Sequence, residues 1–444
     1  MPADRLIVLL SGEPVGVLTS SGDGRGTIEY LPDVVERSAD LPLLSLSLRV
    51  RREPYSADET NPFLAGLLPE GAVRSALARR WRLAESDVFG LLAIAGRDCA
   101  GAVAFVPEGK VTTEEGEGVR WLDAAELEHV LDELPIRPLG DDPEEGIRVS
   151  LAGAQEKLVV VLSQDGRVGL PRGNTPSTHI LKPSPSLQTR GGRPAFPDLV
   201  VNEAFCLTLA RRCGIEAAVP ALRRIGGEEV LVVERFDRRM EGGQVLRVHQ
   251  EDVGQALGID PQRKYQADGG PSAIDVIRLL RTRSARAGQD VLAFIDRLVL
   301  AITIGNADAH SKNFSLLLEH GTVRLAPAYD LICTAVYPGI SGTLAMAIGD
   351  QYQADQVTPR HWAQLLAECD LDTMALRRRM ARLAEAFAQE AGPVAQDLRD
   401  RGANGDVLDA IAAIIQHRAR PIIALPDWRR GDSAEMTRAP RSAT

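Results

Sequence analysis

The chain has 444 residues, of which 44% are hydrophobic and 25% are charged, a composition typical of a globular protein with two or three domains. No stretch reaches the roughly 18 uncharged apolar residues of a membrane span, and the apolar run near the N-terminus indicates a first strand rather than a secretion signal, so a cytoplasmic location is expected. The net charge of −10 argues against nucleic-acid binding by the whole surface, and five cysteines without a CxxC pair predict neither a disulfide framework nor a zinc site.

The pattern of elements along the chain predicts an α+β fold with two lobes. Residues 1–108 combine short strands, a helical stretch and a further strand, and form an N-terminal module. Residues 109–146 are acidic and are predicted to be a linker. Residues 147–260 are rich in strands, whereas 261–428 have helical spacing and predict an all-α C-terminal lobe. Residues 429–444 are predicted to be a disordered tail.

Lysine is rare in this chain, because only five of the 51 basic residues are lysines. A lysine that is kept where arginine is otherwise preferred indicates a position that needs a compact ammonium group, as a phosphate contact does. Three of the five occur in the motifs described next. The five are Lys110, Lys157, Lys182, Lys264 and Lys312.

The segment AITIGNADAHSKNFSLLL carries the most specific spacing. Asp308 and Asn313 are separated as D-x-x-x-x-N, which matches the catalytic loop of protein kinases, where the Asp accepts the proton of the substrate hydroxyl and the Asn binds a metal ion. Lys312 and His310 could contact the same phosphates. A capped loop after a helix explains this motif alone equally well.

Five other features follow the order of parts in a protein kinase. A turn at Gly153 could cover phosphates, Lys182 lies on a following strand, and Glu203 opens the next helix. A buried strand ends at 234–236, and Asp330 follows the catalytic loop in the position of a metal-binding Asp, although its triplet is Tyr-Asp-Leu and not Asp-Phe-Gly. Each feature alone has an ordinary structural explanation, and their common order favours a kinase.

The blocks SLAGAQEK, HILKP, LVVERFDR, HQEDVGQALG, GNADAHSKNFSLL and APAYDL resemble the signature blocks of HipA-family kinases, and NPFLAGLLPEG and GRDCAGAV resemble that family's N-terminal region. The resemblance covers roughly residues 5–425. It implies a two-lobed protein-kinase-like fold, ATP and Mg²⁺ as cofactors, and Asp308 as the catalytic base. It also implies that Asn313 and Asp330 hold the metal ion. The residues implied to bind the nucleotide are Ala152, Gly153, Ala154, Gln155, Glu156, Lys157, Lys182, Glu234, Arg235, Phe236, His310, Ser311, Lys312, Asn313, Tyr329 and Asp330.

The same resemblance implies a function. It suggests a serine/threonine protein kinase that acts as the toxin of a toxin–antitoxin pair, is held in check by a small helix-turn-helix antitoxin similar to HipB, and contacts DNA mainly through that partner. An aminoacyl-tRNA synthetase is an expected protein substrate, and Ser150 an expected site of inactivating autophosphorylation. A small-molecule kinase of the same fold and an ATP-binding co-repressor are the alternatives; the residues alone do not separate the first of these from a protein kinase.

Overall fold

A computed structural model describes residues 4–109, 118–140, 149–153, 155–188, 194–403 and 405–429. Across these ranges, no helix is both long enough and apolar enough to cross a membrane. The described side chains form three main hydrophobic cores, one in the N-terminal domain, one in the strand-rich lobe and the largest in the helical lobe. The segment 430–444, which holds most of the predicted disordered tail, lies outside the described residues.

The N-terminal domain is built on a four-stranded antiparallel sheet. Its elements are β1 (Arg5–Leu10), β2 (Glu13–Ser20), β3 (Gly26–Tyr30), α1 (Pro32–Ser38), α2 (Ala57–Gly66), α3 (Gly71–Trp81), α4 (Val88–Ala95) and β4 (Val103–Pro107). The strand order is β3–β2–β1–β4. Alternate residues of β1, Leu6 and Val8, are fully buried against the helices. A capping box between Ser56 and Glu59 fixes the start of α2.

The strand-rich lobe contains a six-stranded antiparallel sheet and two helices. Its elements are β5 (Gly118–Trp121), α5 (Ala124–Asp132), β6 (Leu158–Leu162), β7 (Val168–Arg172), β8 (His179–Pro183), α6 (Leu199–Arg212), β9 (Pro220–Ile225) and β10 (Glu228–Glu234). The strand order is β5–β7–β6–β8–β10–β9. Helix α6 packs on β9 and β10, which brings its first turns close to β8.

Part of the segment predicted to be an acidic linker is folded into this lobe. Strand β5 pairs with β7 and forms one edge of the sheet, and Asp123 caps α5 through a capping box with Glu126. Leu127 and Leu134 join the core of the lobe. The acidic residues of α5 face solvent, and this is why composition alone suggests a linker. The flanking segments 110–117 and 141–148 lie outside the described residues.

The C-terminal lobe is mainly helical, and the two-lobed α+β class is confirmed. Its elements are β11 (Arg238–Glu241), β12 (Gln244–Arg247), β13 (His249–Asp252), α7 (Val253–Ala256), α8 (Ala273–Arg283), α9 (Ala287–Ile304), β14 (Ser315–Glu319), β15 (Thr322–Leu325), β16 (Thr343–Ile348), β17 (Gln351–Gln353), α10 (Pro359–Glu368), α11 (Met374–Asp400) and α12 (Val407–Ile423). Small antiparallel sheets, β13–β14–β15 and β16–β17, accompany the helices. Helix α9 packs against α8, α11 and α12, and the loop with the D-x-x-x-x-N motif follows its C-terminal end.

Candidate active site

A cavity of about 910 Å³ lies where the three parts of the chain meet. Its walls include the loop 152–157, the end of β10, the loop after α9 and the segment after β15. The N-terminal domain contributes the turn 66–71 and the start of α3. The cavity thus collects most of the residues that the sequence motifs single out.

A buried lysine and two carboxylates form the charged centre of the cavity. Lys182 of β8 donates to both carboxylate oxygens of Glu203 on α6, at 2.7 and 2.9 Å. Its Nζ lies 3.6 Å from Oδ1 of Asp330. Burial would lower the pKa of Lys182, but the two carboxylates outweigh burial and raise it. The lysine therefore stays charged inside the protein.

The two carboxylates respond differently to this environment. Burial raises the pKa of Glu203 despite the attraction of Lys182. For Asp330, burial is outweighed by Lys182 and Lys157, which lower its pKa. The Asp330 side chain is 38% exposed to the cavity, and its backbone has a φ of +55°. A left-handed conformation is unfavourable for a residue other than glycine, and such strain is common at functional sites.

The loop that the sequence predicts to bind phosphates forms the roof of the cavity. Ala152, Gly153, Gln155, Glu156 and Lys157 line it, whereas Ala154 lies outside the described residues. Gly153 has a φ of +109°, and a Cβ atom there would lie 2.5 Å from the Lys157 Nζ. A larger residue would thus be strained and would displace the lysine.

Lys157 and Gln155 both have unmet capacity for polar contacts. The Lys157 Nζ donates to the carbonyl of Ala152 at 2.6 Å. Burial, followed by repulsion from Lys182, lowers the pKa of Lys157 to about 8. Gln155 Nε2 is buried without a hydrogen-bond partner among the described residues. Glu156 instead accepts from the Ser186 amide at 3.1 Å, and so ties the loop to the segment after β8.

The catalytic loop begins where Gly305 ends α9 with a φ of +72°. Asp308 is exposed to the cavity, and its Oδ1 accepts from the Tyr265 hydroxyl at 2.7 Å. Asn313 donates its amide to the Asp308 carbonyl at 3.2 Å, which leaves its side-chain oxygen available as a ligand atom. Both residues of the D-x-x-x-x-N motif therefore face the same cavity.

The residues between these two have different environments. His310 lines the cavity, and its Nδ1 is buried without a partner in the part of the chain that the structure describes. Burial, together with the charge of Lys264, lowers the pKa of His310. Ser311 is fully buried and its hydroxyl donates to the Lys264 carbonyl at 3.2 Å, so it anchors the loop instead of facing the cavity. Lys312 lies between Glu70 and Asp252, at 3.3 and 3.5 Å.

The predicted hinge is divided between two environments. Phe236 packs against Tyr329 with ring centroids 5.4 Å apart, and both border the cavity. Tyr329 donates to the Lys312 carbonyl at 2.6 Å. The exposed Glu234 also borders the cavity. The Arg235 side chain, in contrast, is buried and donates to Asp237 at 2.7 Å and to the Cys99 carbonyl at 2.9 Å. Only the main chain of Arg235 is therefore placed to meet a ligand.

Ser150 is completely buried just before the phosphate-loop segment. Its hydroxyl donates to the Leu67 carbonyl at 2.9 Å, and its amide donates to the Asp98 carbonyl at 3.1 Å. Both acceptors belong to the N-terminal domain. In this conformation the hydroxyl cannot reach Asp308, so phosphorylation of Ser150 would require the segment to leave its site.

Three residues of the cavity were not singled out by motif reasoning: Glu70, Lys264 and Tyr265. Lys264 pairs with Glu70 at 2.8 Å, and Tyr265 bonds to Asp308. For Lys264, the rarity of lysine in the chain was the feature of the sequence that indicated a special position. Glu70 lies in the NPFLAGLLPEG block, which gave no indication of its role. Tyr265 has no signal in the local sequence, because its partner Asp308 is distant in the chain.

A family model described as "HipA-like C-terminal domain" matches residues 149–391, and one described as "HipA N-terminal domain" matches residues 6–106. The first match alone covers more than half of the chain. The chain belongs to the HipA family. The first match includes the phosphate loop, Lys182, Glu203, the catalytic loop and Asp330. The residues that give the cavity its kinase-like arrangement thus lie inside the segment that assigns the chain to the family.

Similar proteins support this assignment over most of the chain. The Sinorhizobium fredii protein named "Putative kinase Y4mE" is 37% identical over 420 residues, which are 94% of this chain and 97% of that protein. The "Serine/threonine-protein kinase toxin HipA" of Shewanella oneidensis is 30% identical over 353 residues, covering 76% and 78% of the two chains. The solved structure of the HipA, HipB and operator DNA complex of Shewanella oneidensis matches with a TM-score of 0.78 at 25% identity, over 95% of this chain and 96% of that one. The HipA family resemblance and the kinase-like fold expected from the sequence are confirmed.

Proposed function

We propose that this protein is an ATP-dependent serine/threonine protein kinase. The observation that carries the proposal is the Lys182–Glu203 ion pair next to Asp330, in one cavity with Asp308 and Asn313. A buried lysine held by a helix glutamate, a metal-binding Asp and a catalytic-loop Asp are the parts that phosphoryl transfer requires. The names of the similar proteins support a kinase.

The cavity has groups that suit each part of ATP. The Phe236–Tyr329 pair offers an apolar surface to the base, and the Phe236 amide has no protein acceptor among the described residues. Lys157 and Lys182 offer positive charge to the phosphates. The unpartnered Gln155 Nε2 and His310 Nδ1 are buried polar atoms of the kind that a ligand normally satisfies.

Asn313 and Asp330 would hold Mg²⁺. No group of three or more His, Cys, Asp or Glu side chains forms a metal site among the described residues, which suits an ion that takes one or two protein oxygens and completes its shell with phosphate and water. When bound, Mg²⁺ would neutralise charge on the phosphates.

Asp308 would act as the general base. The acceptor hydroxyl gives its proton to the Asp308 carboxylate as its oxygen forms a bond to the γ-phosphorus, and the bond to the ADP oxygen breaks. The hydrogen bond from Tyr265 fixes one carboxylate oxygen and leaves the other for the substrate.

The protein substrate and the partner are the finer part of the proposal. We propose a toxin that phosphorylates a translation component such as an aminoacyl-tRNA synthetase and is neutralised by a helix-turn-helix antitoxin of the HipB kind. The Shewanella relative is named as a toxin, and its solved complex contains HipB and operator DNA. A net charge of −10 suits a protein that reaches DNA mainly through a partner.

Ser150 is proposed as the site of self-inactivation. A phosphoserine carries about −1.5 to −2 charge at neutral pH, whereas the Ser150 hydroxyl is completely buried and is bonded to the Leu67 carbonyl. The phosphorylated segment would leave, together with the loop that contacts ATP. Protein phosphorylated at Ser150 is expected to bind an ATP analogue far more weakly than dephosphorylated protein, and Ser150→Ala should still bind. Equal affinity of the two forms would refute this step alone.

The kinase proposal is tested by incubating purified protein with labelled ATP, with and without Mg²⁺. We expect Mg²⁺-dependent phosphate incorporation, with phosphoserine or phosphothreonine found by mass spectrometry. Phosphate transfer only to small molecules would favour the small-molecule kinase, and ATP binding without any transfer would favour the co-repressor.

A further inference from the structure

The turn 66–71 of the N-terminal domain contacts the phosphate loop directly. The Glu70 amide donates to the Gly153 carbonyl at 3.1 Å, and Pro69 and Gly153 form an isolated parallel bridge. The Leu67 carbonyl accepts the Ser150 hydroxyl. These bonds fix the position of the main chain that begins the roof of the cavity.

The Glu70 side chain contacts the other side of the cavity. Glu70 is the N-cap residue of α3, yet its side chain makes no capping hydrogen bond. Its Oε2 lies 2.8 Å from the Lys264 Nζ and its Oε1 lies 3.3 Å from the Lys312 Nζ. Lys312 also donates to the Gly66 carbonyl at 3.3 Å. Although burial would raise the pKa of Glu70, the two lysines outweigh burial and lower it, so the group is a carboxylate at neutral pH.

Each lysine is the chain neighbour of a residue with a role in the proposed reaction. Lys312 precedes Asn313, the proposed metal ligand. Lys264 precedes Tyr265, whose hydroxyl bonds to the proposed base Asp308. The Lys264 carbonyl also accepts the Ser311 hydroxyl. The Glu70 carboxylate therefore fixes the positions of two segments of the C-terminal lobe relative to the phosphate loop.

We propose that Glu70 is a positioning residue for phosphoryl transfer, so that the N-terminal domain completes the active site. The inference rests on the proposed function, because Glu70 acts through Asp308, Asn313 and the phosphate loop. Without Glu70, Lys264 would lose its carboxylate partner, and Lys312 would keep only Asp252 and the Gly66 carbonyl. The base, the metal ligand and the roof would then no longer be fixed by one shared residue.

The charge of Glu70 gives this role a kinetic signature. A carboxylate next to a triphosphate site weakens nucleotide binding by repulsion. Replacing it with a neutral amide removes the repulsion, releases Lys264 and leaves Lys312 with Asp252 as its one carboxylate partner. Glu70→Gln should therefore bind nucleotide as tightly as the parent or more tightly, yet turn over at least about tenfold more slowly, because small errors in placement reduce rates strongly. A general loss of structure would instead weaken binding as well.

The test compares the full-length parent, Glu70→Gln, Glu70→Asp and the matched control Glu108→Gln. Glu108 belongs to the same domain and pairs with Arg5 on the surface at 3.6 Å, far from the cavity wall. The kcat for phosphate incorporation, the Kd for Mg²⁺ with an ATP analogue, and the melting temperature are measured for each. Glu70→Asp keeps the charge with a shorter reach and should retain an intermediate kcat.

Hydrogen exchange without nucleotide separates this inference from the proposed function. Glu70→Gln should exchange faster than the parent in peptides covering 150–157 and 308–313, and Glu108→Gln should not. An unchanged or higher kcat, a Kd raised in parallel with the loss of kcat, or unchanged exchange in both peptides would overturn the inference. If the parent transfers no phosphate, the proposed function fails, and exchange alone decides whether Glu70 positions these loops.

Discussion

Two buried clusters of charge, one at the predicted hinge and one in the cavity, are organised differently. In the hinge cluster, Asp98 and Asp237 are held by Arg235 and Arg238, all with side chains 1–3% exposed. Arg247 adds a further contact to Asp98 at 3.2 Å. In the cavity cluster, Lys182, Glu203 and Asp330 are joined by Lys157 near a space that can admit a ligand.

The difference separates a structural cluster from a functional one. In the hinge cluster, burial would raise the pKa of Asp98 and Asp237, but the arginines outweigh burial and lower both values. Its carboxylates and arginines pair with one another, and among the described residues only the Arg247 Nε of this cluster is buried without a hydrogen-bond partner. Next to the cavity cluster, polar atoms of Gln155 and His310 have no partner within the described parts of the chain, and the pKa of Lys157 is lowered to about 8. A buried cluster that is incomplete without a ligand is the better candidate for function.

The largest effect is expected from the base. Asp308→Gln should lower the rate of phosphate incorporation by several orders of magnitude, since it removes both the proton acceptor and the positioning of the hydroxyl. The free energy of unfolding should change little, because Asp308 is exposed. Rates from labelled ATP and urea unfolding curves are compared with those of Asp268→Gln, a nearby exposed control. Comparable incorporation by Asp308→Gln and parent would contradict the assignment.

A substitution in the hinge cluster should lower the free energy of unfolding and leave nucleotide binding nearly unchanged. Asp98→Asn removes the charge that faces Arg235, Arg238 and Arg247, and breaking a buried ion pair costs about 3–5 kcal/mol. Urea unfolding should reveal this loss, whereas the nucleotide affinity of the folded fraction should be nearly unchanged. A loss of nucleotide binding without a loss of stability would mean that the hinge cluster belongs to the active site.

Glu251 differs from both clusters, because it is a buried carboxyl group with no ion-pair partner among the described residues. Glu251 accepts from the Ser45 hydroxyl at 2.5 Å and the Leu46 amide at 2.9 Å, and burial raises its pKa to about 8. Between pH 4.5 and about 8, Glu251 is protonated in the folded protein and ionised in the unfolded chain. Its contribution to the free energy of unfolding is therefore fully present below pH 4.5 and is lost as the pH rises through about 8. Between pH 5 and 8 the loss should be on the order of 3 kcal/mol. Glu251→Gln should flatten the curve of unfolding free energy against pH, and an unchanged curve would refute the account of this residue.

The smallest expected effect is the pH dependence that Lys157 gives to nucleotide affinity. Because its pKa in the free protein is about 8, it carries a full charge only below that pH. Affinity for an ATP analogue should fall as pH rises past 8, by at most about tenfold per pH unit for one coupled proton. Calorimetric titrations at several pH values measure the trend, and Lys157→Met should lack it. The same slope in this variant would assign the pH dependence to another group.

The sequence predicted the two-lobed fold and most of the cavity because its motifs are local. The D-x-x-x-x-N spacing and the lysine on β8 each occupy a few consecutive residues. The HipA resemblance then indicates in which order such motifs follow one another along the chain. Contacts between distant segments were not predictable in this way. The LVVERFDR block suggested a nucleotide-binding Arg235, yet its side chain is buried and donates to Asp237 and to the Cys99 carbonyl of the N-terminal domain. Likewise Ser311 points toward Lys264, and the acidic segment around α5 completes a sheet edge.

Nucleotide binding tests the central claim most directly. An ATP analogue that resists hydrolysis is titrated calorimetrically into dephosphorylated parent and into Asp330→Asn, with and without Mg²⁺. We predict that Mg²⁺ strengthens binding to the parent and that the variant loses most of this gain while keeping the parent's melting temperature. Binding by Asp330→Asn that is as tight and as Mg²⁺-dependent as that of the parent would place the metal elsewhere and contradict the account of the cavity.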